Sequence, residues 1–173
     1  MTIFIKKINY VLQKKDLSYC KIAKLIDEYE SSLISMIKRK RPFTEKAINK
    51  LLPVLEISRT EFESWILADK YSKEVLKLAV QAKKDFPYKK KLILTTNIDN
   101  ILKEKGISRT VLSKEIKYGQ SGLNQIITGK RTMPKSVLER LSIQLEISQD
   151  QILSWIVADS YSLQILENTC GLL

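Results

Sequence analysis

The chain aligns with itself. Displaced by 90 residues, Ile8 to Ser72 pairs with Ile98 to Ser162 without a gap, and 23 of the 65 paired positions are identical. The strongest blocks are Leu55-Glu56-Ile57-Ser58 against Leu145-Glu146-Ile147-Ser148, and Ser64-Trp65-Ile66, Ala68-Asp69 and Tyr71-Ser72 against Ser154-Trp155-Ile156, Ala158-Asp159 and Tyr161-Ser162. A repeat of this length exceeds a solenoid unit and can close a small core of its own, so the 173 residues read as two domains made by duplication. The expected division is a first repeat over residues 1–82, a basic linker over 83–91, and a second repeat with a C-terminal tail over 92–173. Within the linker, Pro87 biases Phe86 toward extended backbone, and the lysines around it suit solvent or phosphate.

Apolar spacing makes each repeat helical. In the second, Ile98, Ile101 and Leu102 recur at helical intervals up to Gly106, and Ser108 then caps a helix carrying Leu112 and Ile116. A third helix is expected from Gln120, with Leu123, Ile126 and Ile127 inward and Gly129 beyond its end. Pro134 opens a fourth with Val137, Leu138, Leu141 and Leu145, and Ser148 with Gln151 caps a fifth, mirrored by Ser58 with Glu61. The fold class is therefore all-α. Trp65 and Trp155 sit among apolar neighbours without the basic or aromatic companions of a stacking site, so they read as core.

Charge and missing residue types narrow the function. Lys plus Arg number 30 against 19 acids, a formal +11, which favours a polyanion such as nucleic acid. There is no histidine, so the commonest general base and metal ligand are both absent, and no Gly-rich phosphate loop or nucleophile elbow frames the remaining carboxylates and lysines. An enzyme is not expected, nor is any cofactor. Cys20 and Cys170 make no metal or redox spacing and are expected to stay reduced. No secretory signal or membrane span is legible, so a soluble, cytoplasmic protein is expected.

The stretch from Ile107-Ser108-Arg109-Thr110-Val111-Leu112-Ser113-Lys114-Glu115-Ile116 through Tyr118-Gly119-Gln120-Ser121-Gly122-Leu123 to Thr128-Gly129-Lys130-Arg131 resembles the Cro and lambda-repressor type of helix-turn-helix, also called Xre-like. The resemblance covers about residues 96–150, departs at Lys117, where the family often has glycine, and does not include the Trp-Ile-x-Ala-Asp-x-Tyr-Ser extension. It implies two tandem five-helix, lambda-repressor-like domains, the first inheriting the assignment through the internal alignment. It also implies that Gln120 and Ser121 face base edges of double-stranded DNA, while Arg109 reaches phosphate or braces Gln120. The chemistry agrees, because a glutamine amide matches adenine through donor and acceptor together, and Asn124 lies one turn further on the same face. Gln125 extends that base-reading set. Thr128 at the rim, with Lys130 and Arg131, is placed for phosphates.

The first repeat differs where it should read DNA. Glu30, Ser31, Ser32, Ile34 and Ser35 occupy the matching positions, preceded by Asp27 and Glu28, and acids there oppose a phosphate field. Yet residues 1–90 carry +9 of the net charge and 91–173 only +2. Lys38, Arg39, Lys40 and Arg41 are therefore expected to grip backbone phosphate while the second repeat reads bases. Tyr29 and Arg39 stand where the second repeat has Gly119 and Gly129, so the third helix of the first repeat is expected to end differently, and Pro53 to shorten or kink its fourth. The leading reading is a transcriptional regulator, most simply a repressor on a phage or mobile element. The alternative is an adaptor docking onto a polymerase, nuclease or other regulator through Ile34 and Leu172-Leu173. Two repeats in one chain imitate a dimer, while Ile165, Leu166, Leu172 and Leu173 leave room for a homodimer instead.

Overall fold

Hydroxyl side chains start most of the helices. The oxygens of Thr2, Ser18, Thr44 and Ser58 accept the backbone N–H three residues on, as do those of Ser108 and Ser148 in the second repeat. At Ser58 the box is complete, since Glu61 accepts in return from the Ser58 N–H at 2.9 Å. The computed structural model describes residues 2–86 and 91–173, and the described residues form twelve helices and no strand. Those of the first repeat are α1 (Ile3–Lys14), α2 (Tyr19–Leu25), α3 (Glu30–Ile37), α4 (Glu45–Leu55), α5 (Arg59–Ala68) and α6 (Lys73–Asp85). The second contributes α7 (Ile93–Glu104), α8 (Arg109–Glu115), α9 (Gln120–Ile127), α10 (Lys135–Leu145), α11 (Gln149–Ser160) and α12 (Leu163–Cys170). The first four helices of the two repeats begin and end at positions 90 residues apart. The all-α expectation holds, and a sixth helix follows the expected five in each repeat.

The chain divides into two compact units, one of Met1–Ser72 with Glu167–Leu173 and one of Lys73–Leu166. The first is built on Phe4, Ile8, Ile22, Leu33, Leu51 and Phe62, with Trp65 buried against them. Phe4, Phe43 and Phe62 meet edge to face with ring centroids 5.2–5.9 Å apart. The second unit fills the same three positions with Leu94, Met133 and Ile152, and Trp155 is buried there as Trp65 is in the first. Helix α6 groups with the second unit although the repeat arithmetic assigns its sequence to the first. Its Val75, Leu76, Ala79 and Ala82 are buried, α6 packs along α11, and Lys83 Nζ donates to the Ala158 carbonyl at 2.7 Å. Residues 83–85 are thus helical and not connector, while Pro87 and the rest of 87–90 lie outside the described residues. In the tail, Leu166 is fully buried and Leu172 packs on the core of the first unit, so two of the four apolar residues left for a homodimer are engaged within the chain.

Four left-handed positions recur at the same offset: Asp16 and Gly106, Asp27 and Lys117, Arg39 and Gly129, Glu56 and Glu146. Arg39, at φ 57°, therefore ends α3 as Gly129, at φ 70°, ends α9, against the expectation of a different ending. The strain of about 1 kcal/mol is accepted because the surrounding core dictates the turn. Gly119 needs no such freedom: its φ is −59°, close to the −72° of Tyr29. Pro53 does not shorten α4, which has the 11 residues of α10. It sits in the last turn, where it forgoes one backbone bond, and Glu56 closes the helix with its N–H on Leu52 and Pro53 carbonyls. A Cβ on Gly129 would meet Leu92 Cδ1 at 2.8 Å. Gly129→Ala is accordingly expected to cost about 1–2 kcal/mol in urea unfolding, and a loss of only a few tenths would show that Leu92 yields freely.

Three identities of the repeat explain themselves as two kinds of tie between elements. Lys15 pairs with Glu56 at 2.5 Å and Lys105 with Glu146 at 2.7 Å, and each ammonium holds its carboxyl below the ordinary glutamate range. Asp69 accepts the N–H groups of Ile3 and Phe4 at 2.7 and 3.1 Å, and Asp159 those of Ile93 and Leu94 at 2.8 and 3.0 Å. The end of each fifth helix thereby supplies a carboxylate to the positive N-terminus of the first helix in its unit.

Candidate nucleic-acid interface

Helices α8 and α9 form a helix-turn-helix held from behind. Leu112 of α8, Ile116 at its C-terminal cap, and Leu123, Ile126 and Ile127 of α9 are buried, which leaves the opposite side of α9 to solvent. The turn passes through Lys117 at φ 49°, the conformation that glycine favours, and the Tyr118 N–H bonds the Ser113 carbonyl at 2.9 Å. Arg140 from α10 donates to the Ile116 and Lys117 carbonyls at 3.0 and 3.4 Å and replaces the missing ease of glycine with a cation on the turn's acceptors. The buried Thr95 hydroxyl donates to the Ile127 carbonyl at 2.7 Å and so holds the last turn of α9 to α7. Tyr118 packs over Gly122, where a Cβ would meet its ring at 2.9 Å.

On the solvent side, Gln120, Ser121, Asn124, Gln125, Thr128 and Lys130 line one open depression. The four residues expected to read bases are thus brought together. Gln120 Nε2 lies 2.8 Å from the Thr110 hydroxyl, and Gln125 turns its side chain to solvent while its carbonyl accepts the N–H groups of Lys130 and Arg131 at 2.8 and 3.1 Å. Those two backbone bonds fix the exposed Lys130 and Arg131 at the end of α9. Thr128 differs from expectation, for its hydroxyl donates back to the Asn124 carbonyl at 2.7 Å, which leaves it only acceptor capacity toward an anion.

Arg109 departs furthest. It neither extends outward nor braces Gln120: its Nε and Nη2 lie 2.9 and 2.7 Å from Asp99 Oδ1, and its Nη1 donates to Asn124 Oδ1 at 3.4 Å. Asp99, Thr110, Thr95 and Arg140 contact the residues of the candidate site, and sequence reasoning missed them. Only Arg140 left a trace, through the lysine at the matching position, Lys50, which pairs with Asp27 in the equivalent turn at 3.5 Å.

The first unit repeats the backbone and changes the surface. Tyr19 and Asn9, which match Arg109 and Asp99, share a hydrogen bond, and burial pushes the Tyr19 phenol up. Glu28 and Ser32 are bonded at 3.3 Å where Tyr118 packs on Gly122, and Arg41 Nη1 donates to Ser32 at 3.1 Å. Arg39 lies 3.8 Å from the Asp69 carboxylate. Of the four expected phosphate cations, two are therefore drawn to internal partners, while Lys38 and Lys40 are exposed with no side-chain partner among the described residues. Leu25 and Tyr29 stand 62% and 83% exposed beside Asp27, Glu28 and Glu30, whereas Ile34 is half-buried.

Among the described residues, no helix is long and apolar enough to cross a membrane. No curated protein and no solved structure matches the chain significantly. Residues 97–158, which run from within α7 through α10 to near the end of α11, match the model of the Cro/C1-type HTH DNA-binding domain, and this similarity supports a DNA-binding regulator.

Proposed function

We propose that the chain is a sequence-specific regulator of transcription, in its simplest form a repressor, that reads the major groove of double-stranded DNA with α9. The observation that carries this reading is the depression on α9, where amides and hydroxyls are gathered on an exposed face and Lys130 and Arg131 flank them at the helix end. Such a face supplies base-edge partners in the middle and phosphate partners at the rim. The first repeat is the divergent copy of the same helix-turn-helix, and its part is electrostatic. The function needs neither catalysis nor a cofactor.

The test is binding of the full chain to duplex DNA over a salt series, with selection from a random pool. A steep salt dependence with an enriched motif is the expected result, and weak binding without sequence preference would overturn the reading. In the same assay, replacing Lys38 and Lys40 with alanine is expected to lower affinity on every sequence and to flatten the salt slope by about one unit for each lysine. Adding Arg39→Ala and Arg41→Ala should flatten it less, given their internal partners. An unchanged slope would return the two lysines to solvent.

A second reading attaches to the first repeat alone. Exposed Leu25 and Tyr29 among Asp27, Glu28 and Glu30 suit contact with a protein better than contact with phosphate, which supports an adaptor role on that face. Leu172, one of the residues expected to serve such an adaptor, is packed on the first unit's core.

A further inference from the structure

The two amides expected to read bases are held by chemically different partners. Gln120 meets a threonine hydroxyl, a group that both donates and accepts, so the contact is satisfied with either end of the amide facing Thr110. Asn124 meets a guanidinium, which only donates. The atom facing Arg109 must then be the amide oxygen, and the Asn124 amino group is turned away from it, on a residue that lines the α9 depression. Arg109 is itself fixed by its two contacts to Asp99 at 2.7 and 2.9 Å, so a carboxylate on α7 sets a cation on α8, and the cation sets an amide on α9.

An asparagine with both ends available pairs adenine through N6 and N7, which requires the amide oxygen to accept. With that oxygen turned toward Arg109 and one of its two lone pairs engaged there, the end of the Asn124 amide directed away from Arg109 carries only donors. Guanine is the base whose major-groove edge presents two acceptors, N7 and O6, and no donor. We infer that Asp99 and Arg109 are positioning residues that hold Asn124 as a donor, so that the second unit selects guanine over adenine at the base facing Asn124. The inference rests on the proposal that α9 enters the major groove. It is confined to the second unit: in the first, Asn9 and Tyr19 keep the link between α1 and α2, but Ile34 stands at the position of Asn124 and has no amide to orient.

The experiment is selection of bound sequences from a random duplex pool by the full chain and by Asn124→Ala, Arg109→Met and Arg109→Lys. The base that loses its preference in Asn124→Ala is the one Asn124 faces. Wild type is expected to favour guanine there by about tenfold over adenine. Arg109→Met, which keeps the stem and removes the donors, should reduce that ratio to near one or invert it without altering positions read by Gln120 and Ser121, whereas Arg109→Lys, which still only donates, should retain most of it. Arg109→Gln, whose amide can face Asn124 either way, gives the same readout as Arg109→Met should the methionine variant not fold. Adenine at that position in wild type, or a guanine preference that survives Arg109→Met or Arg109→Gln, would overturn the inference and leave the DNA-reading function standing. A pool from which wild type enriches no motif would overturn both.

Discussion

Asp159→Ala is expected to destabilise the second unit by about 2–4 kcal/mol, and Asp69→Ala to do comparable damage to the first. Each carboxylate accepts two backbone N–H groups, at 2.8 and 3.0 Å for Asp159 and at 2.7 and 3.1 Å for Asp69. Both pairs are donors that no helix can satisfy from within, because they belong to the first turn of α1 or α7. In α7 the need is greater, since Leu92 occupies the N-cap and supplies no side-chain bond, whereas Thr2 does so for α1. The alanine variants leave those donors without an acceptor beside buried Phe4 or Ile93 and Leu94, and they also remove a negative charge from the positive end of a helix dipole. Asparagine at either position keeps one acceptor and should recover part of the loss. Urea unfolding of the full chain measures it, and a loss below about 1 kcal/mol for Asp159→Ala would mean that water replaces the carboxylate at little cost.

That role also accounts for a piece of sequence that motif reading left unassigned. The Ala-Asp-x-Tyr-Ser extension lies outside the helix-turn-helix, and nothing local says what its aspartate does. The answer is 65 or 66 residues away in sequence, at the opposite end of the same unit. Features set by neighbours along the chain were legible: capping serines, the buried faces of α8 and α9, and the gathering of Gln120, Ser121, Asn124 and Gln125 on one surface. Features set across elements were not. A single glycine rule misjudged Arg39, because the chain takes the same left-handed turn with arginine there as it does with glycine at 129. The same holds for Arg109, whose position at the start of α8 suggests an outward reach until Asp99 on the neighbouring helix is seen to hold it. The place of α6 also follows from tertiary packing, since its apolar stripe at Val75, Leu76, Ala79 and Ala82 fits α11 of the second unit.

The double variant Gln120→Ala with Asn124→Ala should weaken binding to the preferred duplex by about 3–4 kcal/mol, roughly 10²–10³-fold, while leaving affinity for random duplex nearly unchanged. The two side chains have separate partners, Thr110 for one and Arg109 for the other, so their losses should come close to adding. Neither contributes to the buried side of α9, which is formed by Leu123, Ile126 and Ile127, so unfolding should shift little. The matching pair in the first repeat gives the contrast. Glu30→Ala with Ile34→Ala removes an exposed carboxylate and a half-buried aliphatic group, and if that helix only rides near phosphate, affinity should stay level or rise a few-fold on all sequences. The comparison separates reading from gripping within one polypeptide that presents the same helix twice. An equal loss on preferred and random duplex for the α9 pair would remove α9 from base recognition, and a loss of motif for the α3 pair would assign the first repeat a reading role that its acids argue against.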